Sequence, residues 1–173
     1  HDGPDTPAQL PFTDTLARLK PWLEDSTPRK ILQHAKYDQH VFANHGIRLS
    51  GIVDDTLLAA YVLEAGQVSP GALELGTLAR RHLGLPTIPY EAICGKGANQ
   101  IGFNQVAVAD AAAYAAEDAD ITLQLKQVFV PLLKEKEVEK VFEEVENPLV
   151  KVLVDMEYEG IKIDVDFLND YSK

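Results

Sequence analysis

The segment ILQHAKYDQHVFANHG, residues 31–46, predicts a short strand that leads through polar residues into a helix. Its first residues are apolar, as in a buried strand, and the helical pattern that follows is expected to end at Gly46. Asp38 lies in the first turn of this helix, four residues after His34. The helix macrodipole favours an aspartate there by about 0.3–1 kcal/mol, so spacing alone leaves a structural and a functional role open.

A second aspartate, Asp118, lies in an alanine-rich segment over residues 106–136, which gives the longest helix signal in the chain. Tyr114 and Asp118 are separated by four residues, so their side chains share one face of this helix. Asp120 points elsewhere and is predicted to be solvated. An ordinary packed tyrosine beside a carboxylate would give the same pattern, so this pair also has two interpretations.

Short strands alternate with helices before and after Asp38, which predicts an α/β fold. The second strand is expected within residues 47–55, with Asp54 or Asp55 as the N-cap of the next helix. Two or three strands can be recognised, which is few for a sheet. We therefore expect that further strands precede the chain.

Three local features are predicted outside this region. Thr13 is expected to cap a first helix that Pro21 kinks or ends, and Gly84 is expected to end a later amphipathic helix. Residues 86–104 are rich in Gly, Pro and Asn, which predicts a long loop that contains Tyr90.

A domain boundary is predicted near residue 136. The mixed charges that follow indicate an exposed connecting helix, which Pro148 restarts and Gly160 ends. We therefore divide the chain into residues 1–136 and 137–173. Because the sequence starts at His1 without a methionine, we interpret it as part of a longer protein.

The composition is that of a soluble globular protein, with 46% hydrophobic and 25% charged residues. No apolar run approaches the ~20 residues that a membrane span needs, so no membrane partner is expected. Cys94 is the single cysteine, which excludes an internal disulfide and favours a cytoplasmic location. The net charge of −11 argues against indiscriminate binding of phosphate backbones, but it allows a nuclease that gathers cations with carboxylates.

Several motifs occur in the order and spacing of one family. They are KYDQHVFANHGI, DDTLLAAYVLE, LARRHLG, YEAICGKGANQIGFNQV and YAAEDADITLQL. Together they resemble the 3′–5′ exonuclease domain of family A DNA polymerases, the bacterial DNA polymerase I type. The later segment ENPLVKVLVDMEYEGIKID resembles the start of the polymerase domain of that family.

The resemblance implies a ribonuclease H-like fold in which four carboxylates hold two divalent metal ions. Asp38 and Asp118 match two of these ligands, and Tyr114 matches a tyrosine that positions the attacking water. Carboxylate oxygens suit Mg²⁺ and Mn²⁺, which prefer hard ligands. Two such ions ~3.5–4 Å apart are suited to phosphodiester hydrolysis.

The resemblance also implies contacts with the single-stranded 3′ end of DNA, for which His34, Tyr37 and Tyr90 are the candidates. Tyr90 matches an aromatic position that stacks on the terminal bases, an interaction worth about 1–3 kcal/mol per base. A partly buried loop aromatic is the alternative for Tyr90. His34 stands where the family usually has asparagine, and a histidine can also hydrogen-bond a nucleotide. Lys96, between two glycines, is a weak candidate for a phosphate contact.

The Asp-x-Glu motif that supplies the other two carboxylates in the family is not found upstream of Asp38. Asp2, Asp5 and Asp14 lie in loop or cap contexts. We therefore expect the parent protein to be a DNA polymerase with exonuclease activity, and this chain alone to be inactive. Two alternatives stay open: a non-catalytic spacer domain, and an exoribonuclease of the ribonuclease D type. The polymerase-like segment at the end of the chain argues against the second.

Overall fold

A computed structural model describes residues 7–64 and 69–172 of the chain. It is a mostly helical α/β structure around a small parallel sheet of two strands, β1 (Lys30–Leu32) and β2 (Ile52–Asp55). The α-helices are α1 (Phe12–Glu24), α2 (Ala35–Ala43), α3 (Thr56–Leu63), α4 (Leu75–Leu78), α5 (Tyr90–Cys94), α6 (Val108–Glu135), α7 (Glu139–Val141), α8 (Asn147–Glu159) and α9 (Val165–Tyr171). Single π-helical turns continue α4 (Ala79–Leu83) and join α7 to α8 (Phe142–Glu146).

The register of the sheet decides which residues meet at its edge. Leu32, the last residue of β1, pairs with Asp55, the last residue of β2. In parallel strands both carboxyl ends lie at the same edge, where α/β proteins commonly bind ligands. The first residues of α2 therefore begin beside Asp55.

The hydrophobic core lies where α6 crosses α3 and the helical segment over residues 75–83. Ile121, Leu125, Phe129 and Leu133 recur every fourth residue of α6 and are all buried. This spacing places them on one face of the helix. Each large apolar side chain buried there stabilises the fold by roughly 1.5–3 kcal/mol, which fixes α6 against the rest of the domain.

Two predictions for the first helix differ from the structure, since Thr13 is not its N-cap and Pro21 does not end it, while a kink at Pro21 stays a prediction. Thr13 is not the cap, because α1 already begins at Phe12. Pro11 occupies the N-cap position, and no side chain caps the helix. The Thr15 hydroxyl instead donates to the Pro11 carbonyl at 2.8 Å. Pro21 does not end α1, which continues to Glu24; only one turn lies beyond this proline, and Leu23 is buried there.

The long loop predicted over residues 86–104 contains more helix than expected. Tyr90 begins α5, and two 3₁₀ turns follow at Gly97–Asn99 and Phe103–Gln105. Pro89 at the N-cap and the burial of Cys94 favour a helical turn here in spite of the loop-like composition. The prediction for Gly84 is confirmed, because it ends its helical segment with φ 70°.

The last described helices are largely exposed, as the charge pattern predicted. Gly160 ends α8 with φ 68°, which confirms its predicted role. The Asn147 side chain donates to the Val53 carbonyl at 2.9 Å, so α8 begins against β2. The boundary at residue 136 stays a prediction. In the described ranges, no helix is both long and apolar enough to cross a membrane.

Candidate active site

Asp38 lies near the start of α2, directly after the turn that joins β1 to this helix. His34 is the N-cap residue of α2 and adopts the left-handed conformation, with φ 67° and ψ 53°. Histidine and asparagine both adopt this conformation more readily than most residues, which explains why either residue suits this position. The turn places Asp38 in the first turn of α2, as predicted.

Asp38 is half-buried beside His34, and burial raises the pKa of its carboxyl group. The positive field of His34 lowers this pKa and the negative charge of Asp55 raises it, both as weaker effects. Tyr37 is 62% exposed, and its ring centroid lies 5.8 Å from that of His34. His34 and Tyr37 therefore form an accessible pair of rings next to the candidate metal ligand.

The opposite side of α2 is attached to α8 by ion pairs. Lys36 Nζ lies 2.6 Å from Glu157 Oε1, and His40 Nε2 lies 2.9 Å from Glu157 Oε2. Lys36 and His40 are four residues apart and lie on either side of Asp38 in sequence. The role of Glu157 was not predictable, because nothing local in its helix indicates a partner more than a hundred residues away in the chain.

Tyr114 and Asp118 are half-buried on one face of α6, as their spacing predicted. Burial raises the pKa of Asp118, and the neighbouring charge of Glu117 raises it further. Burial also raises the pKa of Tyr114, and the charge of Asp118 is the second cause. Asp120 is exposed and accepts a hydrogen bond from Gln124, in agreement with its predicted solvation.

Two rings flank Tyr114, and we call Tyr90, Phe103 and Tyr114 the aromatic cluster. Tyr90 stacks on Phe103 with centroids 6.3 Å apart, and both contact Tyr114, at 6.3 and 5.9 Å. Glu117 accepts a hydrogen bond from the Ile88 amide at 2.7 Å, which ties the segment before α5 to α6. Phe103 was missed by sequence reasoning, although an aromatic residue in a glycine-rich stretch was a signal for it.

The two candidate carboxylates are carried by elements that pack on the same sheet. α6 contacts β1, and Lys126 on α6 forms an ion pair with Asp54 on β2. Within the described residues, no hydrogen bond or ion pair joins Asp38 to Asp118 directly. Their convergence on one metal site therefore stays a prediction.

The two aspartates fit part of a divalent metal site. Both carboxylates offer the hard oxygen donors that divalent ions prefer. Burial removes water from each of them and raises its pKa, because the charged form loses hydration. A bound cation would compensate for this lost hydration. Among the residues that the structure describes, no group of three or more His, Cys, Asp or Glu side chains is arranged to hold a metal ion. Asp38 and Asp118 therefore stay two predicted ligands, without a third such side chain grouped with them among the described residues.

An open groove of about 630 Å³ lies beside His34. Its walls include Gln33, Leu57 and Leu73, with Glu74 at its rim. Two of these residues are apolar and two are polar, which suits a ligand with both apolar and hydrogen-bonding surfaces.

The sequence of the domain has clear relatives. A sequence model of the 3′–5′ exonuclease family matches residues 5–134. The chain belongs to the 3′–5′ exonuclease family. The resemblance to family A DNA polymerases is confirmed, because the chain is 40% identical to DNA polymerase I of Pseudomonas aeruginosa in an alignment that covers the whole of this chain.

Other relatives of this exonuclease-family chain agree. DNA polymerase I of Rhizobium leguminosarum is 40% identical over 95% of the chain. A solved structure described as the POL domain of Pol1 from M. smegmatis in complex with DNA primer-template and dNTP superposes with a TM-score of 0.72, at 27% identity. The superposed region covers 94% of this chain and 24% of the solved chain. Our chain spans less than a fifth of the two curated relatives, 19% and 16% of their lengths.

Proposed function

We propose that this chain is the C-terminal part of the 3′–5′ exonuclease domain of a DNA polymerase I, followed by the first residues of its polymerase domain. In this proposal residues 1–136 belong to a ribonuclease H-like nuclease whose remaining strands lie upstream, and residues 137–173 lead into the polymerase. Whole-chain similarity to DNA polymerase I supports it. The parent would synthesise DNA and remove mispaired 3′ nucleotides. A cytoplasmic location stays a prediction.

The observation that carries the proposal is the pair of half-buried, desolvated carboxylates at the two family-matched positions, Asp38 and Asp118. Burial of a carboxylate is unfavourable unless a cation or hydrogen-bond donors compensate it. We propose that Asp38 and Asp118 hold two divalent cations together with ligands from outside this chain. When bound, such ions activate water and stabilise the leaving 3′ oxygen.

Tyr114 would orient the attacking water with its hydroxyl group. A tyrosine phenol is ordinarily protonated at neutral pH, and burial raises the pKa of Tyr114 further, so its hydroxyl is able to donate a hydrogen bond. The aromatic cluster holds the ring from two sides. Tyr90, which is 40% exposed, would offer its free face to a terminal base. His34 and Tyr37 would contact the nucleotide beside Asp38.

The test of this proposal is degradation of a 3′-labelled single strand by the full-length polymerase, with and without Asp118→Ala. We expect metal-dependent release of 3′ nucleotides that the substitution abolishes, while polymerase activity on a primed template is retained. A matching RNA strand separates the proposal from the exoribonuclease alternative, since DNA is expected to be degraded faster. Absence of degradation by the wild-type polymerase would leave the spacer reading as the better one.

The chain alone is proposed to lack exonuclease activity, because two carboxylates on separate elements bind Mg²⁺ weakly. Purified 173-residue chain should therefore leave single-stranded DNA intact, even with excess Mn²⁺. Metal-dependent removal of 3′ nucleotides that Asp118→Ala abolishes would contradict this part of the proposal.

A further inference from the structure

Asp55 is one of the few charged residues that are buried among the described ranges, with 2% of its surface exposed. A buried carboxylate costs several kcal/mol unless hydrogen bonds compensate it. Three backbone amides do so. The His34 and Leu57 amides donate to Oδ1 at 3.0 and 2.9 Å, and the Ala35 amide donates to Oδ2 at 2.7 Å. Both oxygens are therefore in use.

These hydrogen bonds go to two different helices. The bond from Leu57 is the ordinary N-cap of α3, which confirms the sequence prediction that Asp54 or Asp55 caps this helix. The bonds from His34 and Ala35 cross the sheet to the start of α2. They form because Leu32 and Asp55 are register partners at the carboxyl edge. Capping of α3 therefore accounts for one of the three bonds, and the other two hold the start of α2.

The two cross-sheet bonds hold a strained turn. A left-handed backbone at a residue other than glycine is strained and persists only where its surroundings impose it. His34 is such a residue, and its own amide and the next one are two of the three amides that donate to Asp55. On the other side of the turn, the Gln33 side chain donates to the Leu73 carbonyl at 3.0 Å. The turn fixes the direction in which α2 and Asp38 start.

We propose that Asp55 is a positioning residue for the metal site: its carboxylate holds the His34–Ala35 turn and thereby aims Asp38 at the cations. This inference rests on the proposed function and deepens it. In this proposal Asp55 acts through the turn rather than as a ligand, since its two oxygens accept three amide hydrogens. Asp54, the preceding residue, forms an ion pair with Lys126 instead and supplies a matched control.

The first test compares Asp55→Asn with Asp54→Asn in the full-length polymerase. Loss of a group that orients a metal ligand typically costs 10–100-fold in metal affinity or activity. We expect the Mn²⁺ concentration for half-maximal exonuclease rate to rise about 10–100-fold in Asp55→Asn, with the polymerase rate unchanged. Asp54→Asn should leave the Mn²⁺ requirement unchanged. An equal rise in both variants, or no rise in Asp55→Asn, would overturn the proposal.

The second test does not depend on exonuclease activity. Amide hydrogen exchange at His34 and Ala35, measured by NMR in the 173-residue chain, should be slow in the wild type and in Asp54→Asn. It should accelerate in Asp55→Asn, and retained slow exchange would overturn the inference. If the wild-type polymerase shows no exonuclease activity, the proposed function fails, whereas this readout still decides whether Asp55 holds the turn.

Asp55→Ser keeps the test available if Asp55→Asn does not fold. Serine caps a helix about as well as aspartate, so α3 keeps its N-cap. Its side chain is too short to reach across the sheet to both donors. We expect Asp55→Ser to accelerate exchange at His34 and Ala35 while the Leu57 amide stays protected. Equal protection of all three amides would overturn the proposal.

Discussion

The two halves of the candidate site are built by different physical means. Asp38 stands on a short helix whose start is held by hydrogen bonds from strained backbone to the buried carboxylate of Asp55. Asp118 stands on the long α6, which is held by apolar packing around Leu125 and by the aromatic cluster. The first half is positioned by a few directional bonds and the second by many non-directional contacts. Substitutions should therefore affect the two halves in different ways.

The carboxylates themselves should be equally indispensable, which is the largest effect that we expect. We introduce Asp38→Ala or Asp118→Ala into the full-length polymerase. Each substitution should lower the exonuclease rate by more than the loss of one proton-handling contact does, which is about 10²–10⁴-fold. The reason is that both would share the same cations. Single-turnover degradation of a 3′-labelled single strand measures this, with polymerase activity as the control for folding. A much smaller loss in one variant would break the symmetry between the halves.

Tyr114 belongs to the Asp118 half alone, so its loss should separate chemistry from metal binding. Tyr114→Phe keeps the ring in the aromatic cluster and removes the hydroxyl. We expect the exonuclease rate to fall about 10²–10⁴-fold, because the hydroxyl would position water rather than bind metal. The Mn²⁺ requirement should not change. An unchanged rate would return Tyr114 to a purely structural role.

The dependence of the Asp118 half on apolar packing gives a matched pair of variants. Leu125 is fully buried on α6, whereas Leu123 is 47% exposed on the same helix. Leu125→Ala should lower the free energy of unfolding by about 2–5 kcal/mol, since it removes buried methyl groups and leaves a cavity. Leu123→Ala should stay within about 0.5 kcal/mol. Urea unfolding measures both, and similar losses would mean that the face of α6 is assigned wrongly.

The smallest effect is expected at the surface of the Asp38 half, where Glu157 joins α8 to α2. The hydrogen bond from Lys36 is the main reason why the pKa of Glu157 lies below its ordinary value of 4.5, and His40 adds to it. A carboxyl group with a lowered pKa in the folded state stabilises the protein above its unfolded pKa. That contribution is lost as the pH falls through the lowered value.

The Tm difference between the wild type and Glu157→Gln should therefore be present at neutral pH and vanish in acid. Glu159→Gln, a substitution two residues further along the same exposed helix, is the control and should show no such difference. Thermal unfolding followed by circular dichroism from pH 7 down to about pH 3 gives both curves. A Tm difference that persisted unchanged in acid would contradict the ion-pair account.

The Asp118 half was predictable from the sequence because helix periodicity is local. The spacing of Tyr114 and Asp118 and the alanine content of the segment were enough to predict their shared face on α6. For Asp38, the strand, the helix and the position in its first turn were predictable for the same reason. Even the αL conformation of His34 is compatible with its residue type.

The supports of the Asp38 half were not predictable, because they come from distant residues. The sequence predicted that Asp54 or Asp55 would cap α3, but the cross-sheet bonds depend on the strand register. The helix at Tyr90 was missed because tertiary burial of Cys94 overrides a loop-like composition. Threonine is a common N-cap residue, so the sequence predicts a cap at Thr13 and does not show that α1 begins at Phe12.

We propose that Asp38 and Asp118 share one metal site. Broadening of amide NMR signals by paramagnetic Mn²⁺ tests this proposal. In the ¹⁵N-labelled chain, Mn²⁺ at low occupancy should broaden the amide signals of Asp38 and Asp118 together. Asp118→Asn should relieve the broadening at Asp38 as well, because both aspartates would belong to one metal site. Broadening of only one aspartate, or broadening at Asp38 that is unaffected by Asp118→Asn, would contradict the account.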